Sequence, residues 1–210
     1  MKRTPEPELM LDSKQAEAYY KSDRNNTKIF FRTIYKAVKK LTPATLVDLG
    51  CGTGEITEML ATMHPTTKIT GIDNSQAMIN LTKNHDNVVF KKMAITEITD
   101  NYQRVVSSLA LHHFIEPGQF WESVKRINPV DVLIFDFLRP ESEKELEIII
   151  KEKEPFEYEL FKIDFENSLR ASFTLEEIKQ QLLDHNLNLD IHKFNPPGSQ
   201  LSMIIIGGVL

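Results

Sequence analysis

The sequence predicts an α/β fold: a mostly parallel seven-stranded sheet with helices on both faces and an antiparallel hairpin at one edge. Three observations predict it. Short β-branched runs alternate with helix-spaced segments from Leu46 to Phe137, as in a parallel sheet whose crossovers are helices. The first run breaks into glycines at alternate positions, Gly50, Gly52 and Gly54, just before a helix-spaced stretch. The last two apolar runs, 187–194 and 201–209, are joined only by Asn195-Pro196-Pro197-Gly198, which is too short for a parallel crossover.

Each element follows from its own residues. Residues 1–11 are charged and proline-broken and read as a loose lead-in. A helix begins at Asp12 or Ser13, either of which can cap it. After a polar break at 22–26, a second helix spans Thr27 to Leu41 and ends at Pro43. The first strand runs into the glycines, and Glu55 to Ala61 continues as a helix. Lys68–Asp73 is the second strand, followed by a helix over Ser75–Lys83. Asn87–Phe90, Arg104–Leu111 and Val130–Phe137 supply the third, fourth and fifth strands. Pro117 opens a helix through Val124 that carries Phe120 and Trp121. Glu141–Glu154 is a charged helix, and 155–172 reads as irregular. Thr174 followed by Glu177 marks a capped helix start.

The 210 residues suit one domain, and 41% hydrophobic with 26% charged residues is an ordinary soluble composition. A formal charge of −5 disfavours a partner gripped through many phosphates, so nucleic acid is unlikely. The single cysteine, Cys51, allows no internal disulfide and suits a reducing compartment. No apolar run reaches membrane-spanning length, and no apolar signal core follows the charged start. The expectation is a soluble, cytoplasmic protein with no membrane partner.

The chemistry gathers where strands meet turns. Glycines let backbone approach a ligand with no Cβ in the way, and the following helix presents unpaired N–H groups. The spacing is G-x-G-x-G with Asp48 two residues ahead, whereas the dinucleotide fingerprint is G-x-G-x-x-G, so a nicotinamide dehydrogenase is disfavoured. Asp73 ends the second strand, where a carboxylate can accept both hydroxyls of a ribose; the alternative is a plain cap before Ser75. Asn74 and Met78 follow, the latter able to cover an adenine face or simply fill the core. His112 and His113 lie just past the fourth strand, where an imidazole can act as a general base. Adjacent residues point apart, so only one faces a substrate, and the alternative is that one histidine packs and hydrogen-bonds the sheet edge. No third ligand has matching spacing, so no metal is expected. Arg139 can hold an anionic acceptor in a two-pronged bond, and Asn167 belongs to a candidate acceptor wall. Asn195-Pro196-Pro197 sits before a glycine near the end and reads as a turn.

Val47-Asp48-Leu49-Gly50-Cys51-Gly52-Thr53-Gly54, then Gly71-Ile72-Asp73-Asn74-Ser75-Gln76-Ala77-Met78, then 107–113 and the strand ending at Asp136 resemble class I S-adenosylmethionine-dependent methyltransferases, in the family's order. The resemblance covers roughly Tyr19 to the C-terminus. It implies a Rossmann-like three-layer fold, with an N-terminal helical lid over 1–44 and an S-adenosylmethionine-binding domain over 45–210. It further implies that Asp48, Gly50, Cys51, Gly52, Thr53 and Gly54 hold the methionine part of S-adenosyl-L-methionine, and that Asp73 binds its ribose. The residue closing the fourth strand, Ser107 or Ser108, lies beside the methionine end, with Ser107 taken as the contact. In the wider family such an N-terminal leader folds over the cofactor, which implies that role for Tyr19, the alternative being a packing aromatic, and Tyr20 is expected on the acceptor side. Where the family often has an Asp or Asn for the adenine amino group, this chain has Met93 and Ala94, so that contact is made by backbone or is absent. The expected function is methyl transfer to a small-molecule acceptor. A protein or RNA acceptor is opposed by the acidic balance, and a cofactor-binding module without catalysis is the alternative of another class. No motif names the acceptor, or the oligomeric state.

Overall fold

The computed structural model describes residues 1–6, 12–21, 31–32, 35–36, 43–156 and 159–210. The expected polar break at 22–26 and most of the helix expected over 27–41 lie outside the described residues, although 31–32 and 35–36 are helical and Phe31 and Tyr35 are buried. In chain order the elements are α1 (Ser13–Lys21), β1 (Thr45–Leu49), α2 (Glu55–Met63), β2 (Lys68–Asp73), α3 (Gln76–Ile79), β3 (Val88–Lys92), β4 (Arg104–Ser108), α4 (Gly118–Ile127), β5 (Asp131–Phe137), α5 (Glu143–Lys153), α6 (Glu159–Ala171), α7 (Leu175–Asp184), β6 (Asp190–Phe194) and β7 (Met203–Val209).

The seven strands form one sheet in the order β3-β2-β1-β4-β5-β7-β6. The first five are parallel, β7 pairs antiparallel with β5, and β6 pairs antiparallel with β7 at the edge. The expected architecture is therefore the observed one. β1 lies at the point where the connections turn back, with β2 on one side and β4 on the other. Ligands of such sheets bind beyond the C-terminal strand ends at this point.

Strand residues alternate between two cores, as a pleat requires. Val47, Leu49, Val105 and Ile134 face one layer, which holds Phe120, Trp121 and Val124 of α4 and Ile178 and Leu182 of α7. Leu46, Val106, Leu133 and Phe135 face the other, with Ile56 and Leu60 of α2, Ile149 of α5 and Leu169 of α6. Each fully buried large side chain contributes roughly 1.5–3 kcal/mol. Polar ties support the frame. Trp121 Nε1 donates to Gln181 Oε1 at 2.9 Å, and Arg104 pairs with Asp131 and donates to the Tyr35 hydroxyl at 2.8 Å.

Caps fall close to where the sequence places them. Asp12 Oδ1 accepts from the N–H groups of Lys14 and Gln15 at 2.9 and 3.0 Å, and Thr174 and Glu177 form a capping box. Four expectations are corrected. β4 stops at Ser108, because Leu109 turns to φ +54° and a 3-10 turn over Leu111–His113 follows. The helix expected over 75–83 is a single turn, capped by the Ser75 hydroxyl. The stretch expected to be irregular contains α6, whose Phe161, Phe165 and Leu169 recur every fourth residue. Residues 1–6 are tied down: Arg3 donates to the carbonyls of Ala171, His112 and Phe114 at 2.6, 3.0 and 2.8 Å and lies 4.0 Å over the Phe173 ring.

Candidate active site

A cavity of about 1470 Å³ opens over the C-terminal ends of β1, β2, β4 and β5, walled by residues of α1 and α6 and by the first residues of the chain. That exceeds the ~300–1,000 Å³ of an ordinary small-molecule pocket. It can hold two ligands side by side.

The glycine bend forms its floor. Gly50, Gly52 and Gly54 have φ of +74°, +54° and +83°, in the left-handed region. The Gly50 and Cys51 N–H groups both donate to Ile72 O at 2.9 Å, fixing the bend to the end of β2. A Cβ at Gly50 would lie 2.5 Å from Ala110 Cβ, so the loop leaving β4 packs into the gap. A Cβ at Gly52 would meet no atom within 4 Å, and Gly52 lines the cavity: the missing side chain leaves room for a ligand.

Two carboxylates flank the bend. Asp48 is 1% exposed, and its Oδ2 accepts from the Thr57 hydroxyl at 2.7 Å. Its Oδ1 is buried, lacks a partner and belongs to a residue lining the cavity. Burial pushes this carboxyl up to about 7; the Thr57 hydrogen bond opposes the rise and the charge on Asp73 adds to it. A ligand cation at Oδ1 would supply what the site lacks. Asp73 Oδ2 accepts from Gly52 N–H at 2.9 Å and Oδ1 from Ser75 N–H at 2.8 Å. The capping role and a ligand role are compatible, since each carboxylate oxygen keeps a second lone pair. Burial raises the Asp73 carboxyl, against the lowering by those two N–H groups. Asn74, Met78, Met93 and Ala94 line the same end, and Met93 N–H is used by Asp73 O at 2.9 Å. The buried Cys51 thiol is raised well above its ordinary value by burial, then by Asp48 and Asp73, which leaves it inert as a nucleophile.

Several predicted residues fall elsewhere. Ser107 is fully buried with its hydroxyl donating to Leu49 O at 2.7 Å, away from the cavity; Ser108 lines the cavity, and its hydroxyl has no partner. Thr53 and Gly54, which lead into α2, do not line the cavity, and neither does Tyr20, whose ring centroid lies 5.9 Å from Lys83 Nζ. Tyr19 does line it. Arg139 is 8% exposed and occupied, donating to Ser172 O at 3.1 Å and to Glu177 at 2.7 Å, so it ties β5 to α7 instead of facing an acceptor. Asn167 does not line the cavity, whereas its helix neighbours Asp164, Phe165 and Ser168 do.

The histidines contradict the alternation argument. In the 3-10 turn they lie on the same side, both lining the cavity with ring centroids 4.3 Å apart. His112 Nδ1 sits 2.6 Å from Asp136 Oδ1, and His112 N–H donates to Asp136 Oδ2 at 3.0 Å. With Nδ1–H donating to that carboxylate, Nε2 is the open nitrogen. Burial disfavours the His112 cation, but the charge and hydrogen bond of Asp136, with Glu6, outweigh it and raise the pKa. The residue missed by sequence reasoning is Glu6. It reaches the site from the strap at 1–6, 2.5 Å from His113 Nδ1 and 3.8 Å from His112 Nε2, and accepts from the Ser168 hydroxyl at 2.6 Å. Burial would raise its carboxyl, but the hydrogen bond and charge of His113, with His112 and Ser168, hold it low. No local pattern marks Glu6, because its partners lie more than a hundred residues away.

Comparison with known proteins bears on this geometry. A family described as "Methyltransferase domain" matches residues 42–184. The trans-aconitate 2-methyltransferase of Variovorax paradoxus is 58% identical over 36 residues, 17% of this chain and 14% of that protein. The malonyl-[acyl-carrier protein] O-methyltransferase of Bacillus cytotoxicus is 34% identical over 88 residues, covering 40% and 31%. The chain thus spans well under half the length of the curated relatives it matches. Among solved structures, the plantazolicin methyltransferase BpumL, in complex with a triazolic desmethylPZN analog and SAH, superposes with a TM-score of 0.69 at 18% identity, covering 92% of this chain and 89% of that one. A SAM-dependent methyltransferase from Aquifex aeolicus gives 0.66 at 16% identity, covering 92% and 97%. At these identities the superpositions speak for the fold.

Proposed function

The chain belongs to the methyltransferase-domain family, and from that premise we propose that it transfers a methyl group from S-adenosyl-L-methionine to a small-molecule acceptor. The observation that carries this reading is the buried Asp48 carboxylate with one oxygen unpaired, beside a glycine at which no Cβ fills the cavity. A ligand bearing an ammonium group, and hydroxyls for Asp73, fits that pair of acids; Met78 and the Met93–Ala94 backbone would close the adenine end.

The bound cofactor supplies an electrophilic methyl group on a positively charged sulfur. The chain's task is then to hold the acceptor atom in line and keep water out. Tyr19 and α6 line the cavity and would cover it once filled, and Ser108 lines it as well. The acceptor half is aromatic, lined by Phe137, Phe156, Phe161 and Phe165. Arg139 is withdrawn from it, and Glu6 and Asp164 line it. This favours an acceptor with an apolar body over a polyanionic acid. The identity shared with the acid methyltransferases is confined to short segments and does not carry their substrates over. His112 and His113 are the groups in reach to take a proton from an acceptor hydroxyl or amine.

Calorimetric titration with S-adenosylmethionine, S-adenosylhomocysteine and NAD tests the reading. Binding of the first two and not the third is expected; binding of NAD alone overturns it. A labelled-methyl screen across aromatic alcohols, amines, carboxylic acids, peptides and RNA then identifies the acceptor class.

A further inference from the structure

Among the described residues, one group of histidine and acid side chains has the arrangement of a metal site: Glu6, His112 and His113, whose ligand atoms all lie within 4.8 Å of one another. We propose that these three residues bind a divalent transition-metal ion of the zinc type, at the acceptor end of the cavity. Four observations carry it.

The first is an open, buried nitrogen. His112 is 2% exposed, its Nε2 has no partner, and it is aimed at Glu6 across 3.8 Å. The second is the relation of His113 to Glu6. The His113 Nδ1 is 2.5 Å from Glu6 Oε2, so an imidazole nitrogen and a carboxylate oxygen are already brought together at this end of the cavity. The third is the spacing. Ligands at ~2.1 Å from a tetrahedral zinc lie ~3.4 Å apart; His112 Nε2 is 3.8 Å from Glu6 Oε1, and His113 Nδ1, 2.5 Å from Glu6 Oε2, would open toward that spacing as an ion enters. The fourth is the outer layer. The other nitrogen of His112 is held by Asp136 at 2.6 Å, and Glu6 is held by the Ser168 hydroxyl at 2.6 Å. A carboxylate behind a ligating histidine fixes its ring and raises its basicity, and is the usual support of such sites.

Three protein ligands leave a coordination position for a molecule in the cavity, as catalytic rather than structural sites do. The nitrogen and carboxylate donors suit zinc, cobalt, nickel or iron better than magnesium or calcium. An acceptor oxygen placed there would have its own acidity raised by the ion, and the two imidazoles would then serve as ligands. Only that last role rests on the methyl-transfer reading; the binding of the ion does not, and the two fail separately.

The test uses the full chain, stripped with a chelator and titrated with Zn²⁺ against a competing chromophoric chelator. A parallel titration with Co²⁺ follows the visible d–d bands. The expected result is one equivalent bound, with Co²⁺ bands of a four- or five-coordinate site. Glu6→Gln and His113→Gln should each weaken binding at least tenfold, and Asp136→Asn about tenfold through His112. His112 is deeply buried, so Glu6 and the partly exposed His113 are the decisive positions, with circular dichroism confirming their folding. Asp48→Asn should leave metal affinity unchanged while weakening S-adenosylhomocysteine. The proposal is overturned if the wild-type chain binds no stoichiometric Zn²⁺, or if Glu6→Gln and His113→Gln both retain its affinity.

Discussion

Asp48→Asn is the substitution that tests the cofactor site most directly, because it separates a stability effect from a binding effect. In the ligand-free protein the Asp48 carboxyl stands at about 7, against an ordinary 3.8. Between those values the folded chain holds a proton that the unfolded chain has lost. Stability therefore falls as pH rises across that window, by ~1.4 kcal/mol per pH unit. From about pH 5.5 to 7 this one group removes on the order of 2 kcal/mol. Asparagine keeps an acceptor for the Thr57 hydroxyl and carries no charge. The variant should therefore gain on the wild type by that same ~2 kcal/mol over the interval, read as the difference between paired urea denaturation series. Cofactor binding should move the opposite way. An ammonium at Oδ1 requires the ionised acid, so wild-type affinity for S-adenosylhomocysteine should fall up to tenfold per pH unit below 7, while the variant stays flat. At about pH 8 the variant should bind more weakly by ~1.5–3 kcal/mol, the loss of one charge-assisted hydrogen bond. Calorimetry at three pH values reads this. Parallel stability profiles, or equal affinity in both proteins, would refute the assignment of Asp48 as the ammonium partner.

Other substitutions separate frame from site. Gly50→Ala places a Cβ 2.5 Å from Ala110 Cβ at a φ of +74°, and should cost about 2–4 kcal/mol in urea melts. Gly52→Ala meets nothing within 4 Å, so it should cost only ~1 kcal/mol of left-handed strain yet weaken S-adenosylhomocysteine by tenfold or more in calorimetry. Ser107→Ala should lower stability by ~1 kcal/mol with cofactor affinity kept, because its hydroxyl serves Leu49 O; Ser108→Ala should show the reverse in the same two assays. Arg139→Ala should destabilise by about 1–3 kcal/mol, screened on its Glu177 side, with no change in cofactor affinity.

What the sequence made legible is what local chemistry dictates. The glycine bend and the acids at 48 and 73 announce themselves, because left-handed backbone and strand-end carboxylates leave marks within a few residues. The sheet is legible for a similar reason: β1 is flanked by neighbours on both sides and is apolar at Leu46, Val47 and Leu49, broken only by the cavity acid Asp48 near its end. The misreadings share a cause in long-range packing. Ser107 and Ser108 differ by one position, and on a strand one position exchanges the two faces. α6 was hidden because its cavity face mixes Phe161 and Phe165 with Asp164 and Ser168, which blurs the apolar stripe. Arg139 has a direction that only Ser172 and Glu177 decide. Glu6 is set by Arg3, whose carbonyl partners belong to residues 112, 114 and 171, and no window along the chain contains them.

The glycine bend and the histidine turn are joined through a close approach at Gly50 and Ala110. Leu109 N–H still pairs with Phe135 O at 2.8 Å, so the loop leaving β4 is held to the sheet up to that residue. Leu109 then turns at φ +54°, a costly conformation for a branched side chain, and drops Ala110 into the space at Gly50. Only after that contact does the 3-10 turn carry His112 onto Asp136 and His113 beside Glu6. The glycine bend at the cavity floor and the turn that carries the histidines therefore meet where Ala110 packs on Gly50. A side chain at position 50 would displace both, which is a physical reason for glycine there beyond any ligand. It also follows that substitutions at Ala110, a residue without chemistry of its own, should alter the acceptor end through the histidine positions before they alter the sheet.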